Sequence, residues 1–187
     1  MFNSSKSELR EHFISKRLKL SKQDREIYNQ SIFDNFFKNV ILEEHSNISG
    51  YWPVKGEADC LPILKELIKR GHRCYLPHME SNTTPLSFLE WDESTAMAMG
   101  KFNIPEPDTN ILGVPSVMIV PFVTFDENGS RVGYGDGMYD RTIVELNKKG
   151  PVFVVGIGYE IQRAIFIPAD ENDMMMDIVV TDKDVYI

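Results

Sequence analysis

The chain has 187 residues, 42% of them apolar and 26% charged, values that suit one domain with a sizeable core and argue against a long disordered segment. The formal net charge of −8 argues against general nucleic-acid binding, which draws on basic patches. The opening MFNSSKSELREHF lacks an apolar signal core, no stretch approaches the roughly 18 apolar residues of a membrane span, and Cys60 and Cys74 form neither a CxxC pair nor a metal-type cluster, so a cytoplasmic protein with reduced thiols is expected.

In chain order, Ser5-x-x-Glu8 has the form of a capping box, with Leu9, Phe13 and Ile14 following at helical spacing. A first helix is expected over about 5–20. Ser21-x-x-Asp24 opens a longer second helix whose buried stripe would be Ile27, Phe33, Phe36, Phe37, Val40 and Ile41. A short strand follows over Ile48–Trp52, ended by Pro53. Leu61–Arg70 reads as a helix capped by Gly71. Strands are expected at Arg73–Pro77 and Leu86–Trp91, a proline-rich loop over 92–116, and a β-branched strand over Val117–Val123. Asp126-Glu127-Asn128-Gly129 reads as a turn. A glycine-rich stretch then leads into a helix running to about Lys149, closed by Gly150, with further strands at Val152–Ile157 and Ile178–Thr181. Strands alternating with helices imply an α/β fold: a single three-layer α/β/α domain over residues 1–187, Rossmann-like, with a mostly parallel sheet and ligands at the carboxyl ends of its strands.

The stretch Arg131-Val132-Gly133-Tyr134-Gly135-Asp136-Gly137-Met138-Tyr139-Asp140-Arg141 occupies that position. Three alternating glycines let the backbone approach a ligand closely, and N–H groups at the following helix start favour phosphate. Arg131 and Arg141 bracket the loop and can neutralise phosphate charge. Asp140, in the first helical turn, can hold Mg²⁺. A plain glycine-rich turn is the competing reading of Gly-x-Gly-x-Gly alone. The stretch is not a Walker A loop, since Gly-Lys-Ser/Thr is missing, nor a dinucleotide fingerprint, since the third glycine comes one residue early.

The stretch resembles the R-x-G-x-G-x-G-Y-Y-D-R signature of the 5-formyltetrahydrofolate cyclo-ligase family. So do the approach Val120-Pro121-Phe122-Val123-Thr124-Phe125-Asp126-x-x-Gly129, the N-terminal Lys6-Ser7-Glu8-Leu9-Arg10, the Gly56-Glu57-Ala58-Asp59 loop, Lys101–Pro107, Glu171-Asn172-Asp173 and Asp177–Thr181. Met138 stands where the signature has tyrosine, Cys60 where threonine is usual, and Phe102 where tryptophan is frequent.

The resemblance implies cyclisation of 5-formyltetrahydrofolate to 5,10-methenyltetrahydrofolate, driven by ATP with Mg²⁺ and releasing ADP and phosphate. The γ-phosphoryl group passes to the formyl oxygen, N10 attacks the activated carbon, and phosphate leaves. The implied catalytic residues are Lys6, Arg131 and Tyr139. Those on ATP are Lys6, Arg10, Arg131, Gly133, Tyr134, Gly135, Asp136, Gly137, Met138 and Tyr139. Trp52, Glu57, Phe102 and Tyr134 to Met138 are implied on the folate, and Asp140 and Asp173, with Asp177 in reserve, on the metal. The partners are those two small molecules, without nucleic acid or membrane, and the chain is expected to be a monomer. Two rivals remain open from the residues alone: another enzyme class on a related sheet, such as a sugar-phosphate isomerase or CoA-transferase-like protein, and a silent nucleotide-binding regulator.

Overall fold

The computed structural model describes residues 5–168 and 170–187; residues 1–4, at the start of the stretch read for a targeting signal, lie outside them. The chain runs α1 (Lys6–Leu18), α2 (Lys22–Asn39), β1 (Asn47–Ser49), α3 (Leu61–Lys69), β2 (Arg73–His78), β3 (Ser87–Glu90), β4 (Met97–Met99), β5 (Pro105–Pro107), β6 (Val117–Val120), β7 (Thr124–Phe125), β8 (Arg131–Val132), α4 (Met138–Asn147), β9 (Phe153–Ile157), β10 (Ile178–Val180) and β11 (Val185–Tyr186). Short 3₁₀ turns lie at Lys101–Asn103 and Glu160–Gln162.

The expected capping box at Ser5 forms, and Ser21, expected only to open the second helix, forms another. Ser5 and Ser21 each accept from the backbone three residues on, while Glu8 and Asp24 reach back to the cap N–H. The stripe assigned to α2 needs correction at both ends: Ile27 is 55% exposed and Ile41 is 92% exposed. The helix stops at Asn39 and Val40 is extended, so helical spacing no longer governs Ile41, and α2 buries only Ile32 and Phe36 within its span.

The seven-stranded sheet has the order β11-β10-β9-β6-β1-β2-β3. Its five inner strands pair in parallel, while β3 and β11 close the edges antiparallel. Every residue of β6 is buried, as in a strand covered on both faces. Val117 and Ile119 pack on one side with Ile32 and Phe36 of α2 and Ile63, Leu64 and Leu67 of α3. Met118 and Val120 pack on the other with Ile143 and Leu146 of α4. The period-2 alternation of β6 thus divides one sheet between two helical layers, giving the expected three-layer α/β fold.

Two expected elements change. The strand over Val117–Val123 ends at Val120, because Pro121 has no N–H to continue the ladder. The proline-rich 92–116 segment is not only loop: β4 and β5 form an antiparallel hairpin across the turn at Lys101–Asn103. Prolines 105 and 107 fit there because this two-stranded ribbon is all edge. The Asp126–Gly129 turn joins β7 to β8, and Asp126 Oδ1 accepts from the Asn128 N–H at 3.1 Å and the Ser130 N–H at 3.0 Å.

The chain leaves β1 through α3 to reach β2, and leaves β6 through α4 to reach β9, on opposite faces of the sheet. The carboxyl ends of β1 and β6 therefore flank a topological switch point, where open α/β sheets leave a crevice.

Candidate active site

A cavity of about 840 Å³ opens on the β6 side of this switch point. Its wall is the glycine stretch, flanked by Lys6 and Arg10 of α1 and by Asp170, Asp173 and Met174. Its size is in the range of small-molecule sites.

The stretch folds as it does because Gly135 (φ +119°) and Gly137 (φ +61°) take backbone angles that side chains disfavour. Gly137 caps α4, and among the described residues no side chain caps the helix's first N–H groups, which border the cavity with the positive end of the helix dipole behind them. Arg10 Nε donates to the Gly133 carbonyl at 2.7 Å, and Arg141 donates to the Asp136 carbonyl at 2.6 Å and the Asn82 carbonyl at 2.7 Å. These bonds hold the loop open from both ends. Met138, where the family signature has tyrosine, begins α4 and, like Tyr139, packs partly buried against the core.

Arg131 lines the cavity but is largely buried, its Nη1 bonded to the Met174 carbonyl and its Nη2 to Asp140 Oδ1 at 2.6 Å. Burial pulls its pKa down, and Asp140 opposes that. Lys6 Nζ sits between Asp170 (2.8 Å) and Asp173 (2.5 Å). Burial works against its charge, yet the bonds to these two carboxylates outweigh it and raise its pKa. Tyr139 is pushed well above the ordinary phenol value, first by burial and then by the charge of Glu57, so it remains a protonated donor.

Glu57 leaves the carboxyl end of β1 buried. Its Oε2 accepts from the Val54 N–H at 2.9 Å, and its Oε1 from the Tyr134 hydroxyl at 3.0 Å. Burial raises its pKa; the Val54 bond, Arg17 and the Tyr134 bond pull the other way. Glu57 itself is off the wall of this cavity and lines a smaller one of about 300 Å³, but Tyr134, 39% exposed, does line the larger, so a single hydroxyl joins the glycine loop to this carboxylate.

The structure does not gather every expected residue. Asp177 stays off the cavity wall: its Oδ2 accepts from the Val154 N–H at 2.7 Å and secures the start of β10 against β9. Trp52 packs half-buried on the core face shared with α2 and α3 and lines no part of the cavity. Phe102 lies outside it too, 61% exposed in a left-handed conformation at the tip of the β4–β5 hairpin. One residue escaped sequence reasoning: Arg17, wholly buried on α1, donates to the Tyr134 hydroxyl at 2.6 Å. The signal for it was present, since Lys6, Arg10, Phe13 and Arg17 fall at helical spacing on one face.

For a metal, each of Asp140 and Asp173 keeps one carboxylate oxygen without a partner among the described residues, and both line the cavity. No cluster of three or more potential ligands occurs among the described residues. That set suits Mg²⁺, which takes one or two carboxylates and completes its shell with phosphates and water, and does not suit an all-protein cage.

Known proteins match most of this chain in sequence and fold. The 5-formyltetrahydrofolate cyclo-ligase family model matches residues 2–182. The 5-formyltetrahydrofolate cyclo-ligase of Escherichia coli (strain K12) is 33% identical over 139 residues, 70% of this chain and 75% of that one. The solved structure of Aquifex aeolicus 5,10-methenyltetrahydrofolate synthetase superposes with a TM-score of 0.81 at 31% identity, covering 97% of this chain and 91% of that one. The Mycoplasma pneumoniae 5,10-methenyltetrahydrofolate synthetase shares the fold, with a TM-score of 0.78 at 24% identity over 96% of this chain and all of that one. The chain belongs to the 5-formyltetrahydrofolate cyclo-ligase family.

Proposed function

We propose that this protein is an ATP-dependent ligase that closes 5-formyltetrahydrofolate to 5,10-methenyltetrahydrofolate, releasing ADP and phosphate, and that residues 1–187 act as one domain. The observation that carries this reading is the Tyr134 hydroxyl, which links a phosphate-type glycine loop lining the larger cavity to a buried carboxylate, Glu57, that lines a smaller neighbouring one. Phosphoryl transfer from ATP to the formyl oxygen needs two ligands held end to end; the glycine loop lines the cavity of about 840 Å³ and Glu57 a second of about 300 Å³, with the Tyr134–Glu57 bond between them.

In this scheme the N–H groups of Gly135, Gly137 and the first turn of α4 receive the phosphates, with Arg10 on the far side of the loop. Lys6 lies within reach of the γ-phosphoryl group. Arg131 holds Asp140 in place. Tyr139 stays protonated and donates to developing oxyanion charge. Glu57 accepts from the N–H edge of the pterin, and Tyr134 bounds the folate where it meets the nucleotide. N10 then attacks the activated formyl carbon and phosphate departs. Asp140 and Asp173 would hold Mg²⁺, which neutralises phosphate charge when bound.

No helix among the described residues is long and apolar enough to cross a membrane. Free, buried Cys60 and Cys74 fit a reducing, cytoplasmic setting, and a monomer is the simplest assembly for a cavity built from one chain. The test is direct: purified protein with 5-formyltetrahydrofolate, ATP and Mg²⁺ should produce the absorbance of methenyltetrahydrofolate. ATP binding without that absorbance would favour a regulator, and activity independent of ATP would reject the ligase.

A further inference from the structure

Arg17 is the bulkiest fully enclosed side chain among the described residues. A buried guanidinium remains charged, so its enclosure is expensive unless its donors find acceptors. Here they find few. Nη1 donates to the Phe122 carbonyl at 3.1 Å and Nη2 to the Tyr134 hydroxyl at 2.6 Å, while Nε has no partner. No carboxylate lies in ion-pair range among the described residues. A helix that needed only to be fastened to the sheet could do so with an apolar side chain at this point.

The bonding directions explain the arrangement. Arg17 can only donate and an ionised Glu57 can only accept, so the Tyr134 hydroxyl between them must accept from Arg17 and pass its proton toward Glu57 Oε1. The Val54 N–H fixes Oε2. Each carboxylate oxygen thus has one protein donor and a lone pair to spare. The positive charge at the far end of the chain opposes the burial that would otherwise favour a neutral Glu57. Hydrogen bonds in such a low-dielectric series polarise one another.

We propose that Arg17 is a positioning residue for the folate end of the reaction: acting through the Tyr134 hydroxyl, it holds the Glu57 carboxylate oriented for the N–H groups of the substrate before the substrate arrives. The proposal rests on the reading of Glu57 given above. Preorganisation of this kind lowers the ordering cost of binding, so its loss should appear in KM for the folate and leave ATP nearly untouched.

Arg17→Lys separates this role from simple fastening. The ammonium keeps the charge and can still bond the Phe122 carbonyl, but it cannot reproduce the fixed fork that also engages Tyr134. Tyr134→Phe breaks the same chain one link further on while leaving Arg17 in place. The expected result is a rise of about tenfold or more in KM for 5-formyltetrahydrofolate in each variant, less than about threefold for ATP, and no further loss when the two are combined. A wild-type folate KM in folded Arg17→Lys, equal losses for both substrates, or losses that multiply in the double variant would overturn it. If Arg17→Lys does not fold, Tyr134→Phe decides alone, and a wild-type folate KM there overturns the proposal. Glu57→Gln serves as the reference. An unchanged folate KM in that variant removes the underlying reading of Glu57, whereas a raised KM there with an unaffected Arg17→Lys removes only the role of Arg17.

Discussion

Gly135 lies at φ +119°, and a Cβ built on it would meet the Arg10 guanidinium at 3.5 Å. Valine there would be strained and would stand between the loop N–H groups and a phosphate. Gly135→Val should keep the circular dichroism of the wild type and lose more than about a hundredfold in ATP turnover, the scale of removing preorganised donors; near-normal turnover in the folded variant would discard the phosphate cradle. Glu57 offers a different test. Burial raises its pKa above the ordinary 4.5, so just above that pH the folded protein holds a proton that the unfolded chain has released. Stability must then fall as pH rises through the interval between 4.5 and the raised folded value, and level off beyond it. Glu57→Gln abolishes this contribution. The melting-temperature difference, variant minus wild type, should grow from pH 4 toward neutrality; parallel curves would mean that Glu57 titrates as it does unfolded.

The first helix shows how a local device serves the site. The Ser5–Glu8 box fixes where α1 begins, and so places Lys6 against Asp173 and Arg10 against Gly133. Removing an N-cap hydroxyl typically costs about 1 kcal/mol, or roughly 2–4 °C in a chain of this size. Ser5→Ala should therefore melt slightly earlier and show a raised KM for ATP with little change for the folate. A lower melting point with unchanged ATP kinetics would mean that the start of α1 is structural only. The hairpin of β4 and β5 makes the contrary point. Its prolines read as loop, yet His78 Nδ1 bonds Glu106 Oε2 at 2.6 Å and anchors the ribbon to the end of β2. Nothing in the local sequence reports that long-range bond.

At the scale of the molecule, the cavity draws on α1, Pro121 after β6, the glycine stretch, α4 and the 170–174 segment, so filling it joins distant parts of the chain. A ligand at a hundred times its Kd adds about 2.7 kcal/mol of apparent stability. ATP with Mg²⁺ should raise the melting temperature by several degrees, and EDTA should remove most of that rise. An equal rise with EDTA present would leave Asp140 and Asp173 without a metal to hold.

The sequence alone determined the layers, the Ser5–Glu8 capping box, the glycine loop and the family, because those rest on local periodicity, on glycine spacing and on a long contiguous signature. Tertiary structure decided the rest. Asp177 looked like a ligand and proved to brace β9, since a carboxylate's role depends on which N–H groups surround it. Trp52 and Phe102 looked like folate contacts, yet one packs on the core and the other is exposed at a hairpin tip, because an aromatic ring is equally suited to either surrounding. Arg17 lay on the same helical face as Lys6 and Arg10, but only folding carried it under Tyr134. The sequence says which residues can bear charge; burial and hydrogen-bond geometry, set by residues far away in the chain, decide which of them must.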